Sequence, residues 1–138
     1  DAPEKAWKEF PAKRIKNIIV KSRKLPTLFS IEMPVLVELC DRFVRYLGNI
    51  PKQEWAIKVD VQSKSEGIFS AQTSYASFQE SIPIKGTKKG SVEINLGVVQ
   101  PIFQNIKGFD GNITISESAD SVCYMRAGQY EFIASQRA

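Results

Sequence analysis

The sequence predicts an α+β fold of two β-α-β-β-β repeats, with helices on one face of antiparallel sheets, and three observations carry that expectation. Two amphipathic helical patterns are each preceded by one strand pattern and followed by others. Their starts, near Pro34 and Val98, are offset by about 64 residues. Turn-forming residues punctuate the strand patterns, as at Ser63 to Glu66 and Thr73 to Tyr75.

The elements follow in order. TLFSIEM (Thr27 to Met33) reads as a strand and leads into VLVELCDRFVRYLG, where Val35, Leu36, Leu39, Phe43, Val44 and Leu47 form one apolar face. Gly48 and Asn49 stop that helix. WAIKVDV (Trp55 to Val61), GIFSAQ (Gly67 to Gln72) and ASFQESIPI (Ala76 to Ile84) complete the first repeat, 27–84. The second, 91–135, runs through SVEINL (Ser91 to Leu96), a helix near Val98 to Lys107, NITISES (Asn112 to Ser118), DSVCYMR (Asp120 to Arg126) and QYEFIAS (Gln129 to Ser135). Pro101 is expected near the first turn of its helix, where a missing N–H costs least; one turn deeper it would kink the helix. The loop Gly86-Thr87-Lys88-Lys89-Gly90 between the repeats lacks the G-x-x-x-x-G-K spacing of a phosphate loop and reads as a solvated connection.

At 138 residues and 43% hydrophobic content, the chain fits one domain with a sizeable core, residues 27–138. The net charge of +4 is uneven. Residues 1–26 carry eight basic against three acidic groups, and the remainder eleven against twelve. That segment reads as a solvated linker or inter-domain junction, or as a contact for nucleic acid. No run is apolar enough to span a membrane and no signal-peptide core is present, so a soluble, cytoplasmic protein is expected. Cys40 and Cys123 sit in apolar patterns without paired spacing and are expected as buried thiols.

Chemistry is sparse. The absence of histidine removes Ser-His-Asp and Cys-His catalysis and His-ligated metals, and the acids are scattered, so no catalytic residue, metal or cofactor is expected. On the first helix Glu38, Asp41, Arg42 and Arg45 share a face, with Glu38–Arg42 and Asp41–Arg45 in favourable i,i+4 order. On the second, Gln100, Gln104 and Lys107 form the polar stripe, and no acid occurs from Leu96 to Phe109. Such a face is either an ordinary exposed surface or one that approaches phosphates without gripping them.

The repeat resembles the DNA sliding clamps, most closely the C-terminal domain of the bacterial DNA polymerase III beta clamp. The resemblance rests on Phe10-Pro11 followed by Arg14, the strand and helix from Ser30 to Leu47, Glu93-Ile94-Asn95-Leu96 before the second helix, and the closing strand Tyr130-Glu131-Phe132-Ile133. It covers nearly all of the chain from Phe10 onward, and the order of elements is more specific than any single motif. It implies a DNA-clamp-like fold whose helices line a central hole, closed by six such domains in a homo-oligomeric ring around duplex DNA without sequence readout. Arg42, Arg45, Gln100, Gln104 and Lys107 would then face DNA. A groove for short peptides of the polymerase and clamp loader would fall at Pro11, Asn95, Val98, Ile133, Ala134 and Ser135. Two departures stand out: Val98 replaces the family's usual aromatic, and Ile133-Ala134-Ser135-Gln136-Arg137 replaces a Met-Pro-Met-Arg-Leu ending. The implied function is a non-catalytic processivity factor, the C-terminal part of a longer subunit. The alternative is a small protein- or nucleic-acid-binding module acting through residues 1–26.

Overall fold

The computed structural model describes residues 16–17, 19–51, 54–74, 76–106, 108–109, 111–117 and 122–135, with residues 122 and 135 as backbone only. Pro11, Lys107 and most of the basic segment 1–26 lie outside the described residues. Among the described residues, 19–22 are helical, and after them nine strands and two longer helices follow in the order β1 (Thr27–Glu32), α1 (Met33–Leu47), β2 (Ala56–Val61), β3 (Glu66–Gln72), β4 (Ser77–Pro83), β5 (Lys85–Gly86), β6 (Gly90–Asn95), α2 (Leu96–Asn105), β7 (Asn112–Ser116), β8 (Val122–Ala127) and β9 (Tyr130–Ser135).

The two repeats exchange their first strands. One sheet runs β5-β1-β7-β8-β9 and the other β4-β3-β2-β6, all neighbours antiparallel. Each sheet therefore joins the three strands after one helix to the strand before the other, with Ile31 opposite Ile113 in one and Ile57 opposite Ile94 in the other. A repeat on its own would lose the partner of its first strand, so the halves fold as one unit.

Alternation decides which face is buried. Ile57, Val59 and Val61 on β2, and Val92 and Ile94 on β6, point inward, while Lys58 and Ser91 point to solvent. Helix α1 adds Met33, Leu36, Leu39, Cys40, Phe43 and Leu47, and α2 adds Leu96, Val99 and Phe103. Each fully buried side chain of this size contributes about 1.5–3 kcal/mol by leaving water. Phe29 on β1 meets Phe69 on β3 edge to face at 6.1 Å, joining the two sheets through the middle of the core. The thiols of Cys40 and Cys123 are buried, which pushes both up to about 12. They are therefore protonated and unreactive near neutral pH.

Two expectations need correcting. Helix α2 begins at Leu96, so Pro101 is its sixth residue and lies beyond the first turn; Leu96 reads equally well as a strand end, which hides the true start from the sequence. The segment after Ile84 is not a free connection. Lys85–Gly86 forms a short strand on β1, Gly86 N–H donates to the Lys64 carbonyl at 2.9 Å and Thr87 N–H to that of Leu28 at 2.9 Å. Two residues are too few for any alternation to announce a strand.

Candidate nucleic-acid and partner-peptide surfaces

The helices lie side by side, and the hydrogen bond from Gln104 Nε2 to Asp41 Oδ1, 3.4 Å, crosses the seam between them. Gln100, one turn before Gln104, is half-buried. The exposed residues of α2 are instead Val98, Pro101 and Asn105. Periodicity places the amides correctly away from Val99 and Phe103 but cannot show that α1 covers one flank.

Arg42 is turned toward β4. Its guanidinium reaches Glu80 at 3.1 Å and Glu38 at 3.2 Å, and its pKa is raised chiefly by the Glu80 hydrogen bond. Tyr46, one turn on, stacks on Phe78 of β4 at 4.8 Å. The i,i+4 pair Glu38–Arg42 is therefore present. Arg45 is exposed, makes no ion pair among the described residues, and does not pair with Asp41. Helix α2 has no acid at its N-cap, in its first turn or along its length, so the positive end of its backbone dipole is left uncompensated by its own side chains, whereas α1 starts after the carboxylate of its N-cap residue Glu32.

Of the expected peptide-groove residues, Asn95 and Val98 sit at the joint of β6 and α2, and Ile133 and Ala134 lie on β9. Asn95 closes β6 and precedes α2, is 6% exposed and makes no side-chain cap bond, and its Oδ1 has no hydrogen-bond partner among the described residues. Three residues on, Val98 is 41% exposed. Strand β9 lies against β6 and α2, with Phe132 packed edge to face on Phe103 at 6.1 Å. Neighbouring strand residues point to opposite faces, so Ala134 shares the helix-covered face with Phe132, whereas Ile133, opposite Tyr124, shares the other. Ser135 ends the strand.

One cluster has no signal in the sequence. Arg23 donates from Nε to Glu131 at 3.0 Å and forms an ion pair through Nη2, and Tyr124 Oη donates to the same carboxylate at 2.6 Å. The cluster fastens the segment entering β1 to the β8–β9 hairpin, whose two-residue turn uses Gly128 at φ 60°. Arg23 and Glu131 are 108 residues apart, a separation no local pattern encodes. The Arg23 and Tyr124 hydrogen bonds hold the Glu131 carboxyl down at about 2, from an ordinary 4.5. Because the folded pKa is depressed, this stabilisation is present above pH 4.5 and is lost as pH falls toward 2. Glu131→Gln is expected to lower the melting temperature at pH 7, with the gap to the native chain closing as pH approaches 2; a gap that stays constant in melts across that range would contradict the assignment.

The two-sheet, two-helix architecture is that of a sliding-clamp domain. In particular, the chain has the fold of one domain of the bacterial DNA polymerase III beta clamps. The Helicobacter pylori beta clamp in complex with carprofen matches with a TM-score of 0.64 at 18% identity, covering 76% of this chain and 28% of that chain. The beta subunit from the DNA polymerase of Streptococcus pyogenes matches with a TM-score of 0.63 at 17% identity, covering 80% and 30%. The DNA polymerase III subunit beta from Pseudomonas aeruginosa matches with a TM-score of 0.66 at 12% identity, also covering 80% and 30%. The chain thus spans about 30% of the length of those proteins. No family model and no curated protein sequence matches it. Among the described residues, no helix is long and apolar enough to cross a membrane.

Proposed function

We propose that the chain is one domain, the C-terminal one, of a cytoplasmic sliding-clamp subunit: a non-catalytic processivity factor that encircles duplex DNA and tethers a polymerase. The observation that carries this reading is the fold match over 80% of this chain to about 30% of clamp chains. The acid-free α2 and the exposed Arg45 support a face that passes along phosphates without repulsion. Gln100 and Gln104 contribute at the seam, and Lys107, outside the described residues, is the remaining member of the DNA-facing set. Arg42, held by Glu80 and Glu38, acts mainly to seat α1 on β4 and contributes little charge to DNA.

The same reading assigns a partner-peptide groove to the β6–α2 joint and the end of β9, with Pro11, outside the described residues, as a further expected member. A buried acceptor without a donor, Asn95 Oδ1, beside the exposed Val98 suits a peptide that supplies one N–H and one apolar side chain. Asn95→Ala removes that acceptor without breaking a cap bond, so the melting temperature is expected to change little. Affinity for a clamp-binding peptide of a DNA polymerase should fall about 2- to 13-fold, the worth of one hydrogen bond. Fluorescence anisotropy measures this, and no binding of several such peptides to the native chain at high micromolar concentration would contradict the groove.

A further inference from the structure

Away from both helices, the β2–β3 turn and the segment after β5 enclose an open cleft of about 450 Å³, lined by Val61, Gln62, Ser63, Lys64, Gly86, Thr87, Lys88 and Lys89. We propose that this cleft binds the phosphodiester backbone of single-stranded nucleic acid, a contact that does not depend on ring closure.

Three features carry the proposal. The charge at the mouth is positive: Lys64 and Lys89 are exposed and make no ion pair among the described residues, while Lys88 pairs with Glu117. The backbone presenting the lysines is already fixed. Ile84 N–H donates to Ser65 at 3.2 Å, Gly86 N–H to Lys64 and Thr87 N–H to Leu28, and Gly86 packs so closely that an added Cβ would lie 2.3 Å from the Ser63 carbonyl oxygen. A ligand therefore meets a preorganised loop pair and is spared much of the cost of ordering it. The third feature is the kind of charge. Lysine ammoniums bind as point charges without a fixed geometry, which suits the mobile phosphates of a flexible strand, and the cleft has no arginine fork to hold one planar group in two places. Val61 and Gly86 leave part of the floor apolar, a surface for the face of an unstacked base, which a single strand exposes and a duplex hides.

The test is anisotropy of a fluorescein-labelled oligo-dT with the whole chain at about 50 and 200 mM salt. Two or three neutralised phosphates give a slope of about −1.4 to −2.1 and a loss of roughly tenfold between the two salts. The double variant Lys64→Glu, Lys89→Glu should bind at least tenfold more weakly at the lower salt, and the Lys64→Ala, Lys89→Ala pair should fall between it and the native chain. Both positions are exposed, so an unchanged melt verifies folding. Lys58→Glu, the same charge reversal on β2 outside the cleft lining, should alter this binding less than twofold, which separates a contact at the cleft from an effect of net charge. Binding of the double-Glu variant within twofold of the native chain would overturn the proposal, as would tighter binding of a polyglutamate peptide than of the oligonucleotide.

Discussion

Phe69→Ala is expected to lower the melting temperature by about 10–20 °C. Phe69 is fully buried on β3 and meets the equally buried Phe29 of β1, so its ring belongs to the core of both sheets at once. Truncating a buried phenylalanine costs about 3–5 kcal/mol, part transfer free energy and part the cavity left behind. The same loss is a large share of the roughly 5–15 kcal/mol that stabilises an ordinary domain. For a chain of this size each kcal/mol moves the midpoint by about 3–4 °C. The exchanged strands make the damage global, because neither sheet is complete within one repeat. Thermal melts followed by circular dichroism measure it; a drop below about 5 °C would mean that Phe69 does not join the sheets as described.

Gly86→Val carries the second large effect. An added Cβ meets the Ser63 carbonyl oxygen at 2.3 Å and Val61 Cγ1 at 2.9 Å, so the backbone of the β2–β3 turn must move. Overpacking of this kind costs about 1–3 kcal/mol. The expected results are a melt lower by about 3–10 °C and faster amide exchange at residues 86 and 87, whose N–H groups hold the turn and β1. Gly108 is the control. A Cβ added there would meet nothing within 4 Å and its φ is ordinary, so Gly108→Ala should change the melt by no more than a degree or two. Equal effects at the two glycines would contradict the close approach at Gly86.

The strands and helices are legible because alternation and the 3.6-residue period are local, and Val59, Ile94, Phe43 and Phe103 declare their faces through near neighbours. What local pattern cannot encode is pairing between distant segments. The exchange of β1 and β6 follows from which partner completes each sheet, not from any feature of Thr27–Glu32 or Gly90–Asn95 themselves. The same holds for the candidate surfaces. The sequence puts Arg42 and Gln104 on polar faces, yet it cannot show that Glu80 of β4 engages the first or Asp41 of α1 the second. Composition alone makes the lysine-rich loop look solvated, and only the long-range contact of Gly86 with Ser63 shows why a glycine stands there.

Encirclement of DNA is a topological property, and retention on a closed circle reads it out. The native subunit is loaded onto a nicked circular duplex, separated from unbound protein by gel filtration, and followed after a single cut elsewhere in the DNA. A clamp remains with the intact circle and is released once the duplex is linear, with little dependence on sequence. Protein that stays equally bound to circle and line, and leaves both as salt rises, would show ordinary electrostatic binding and rule out encirclement.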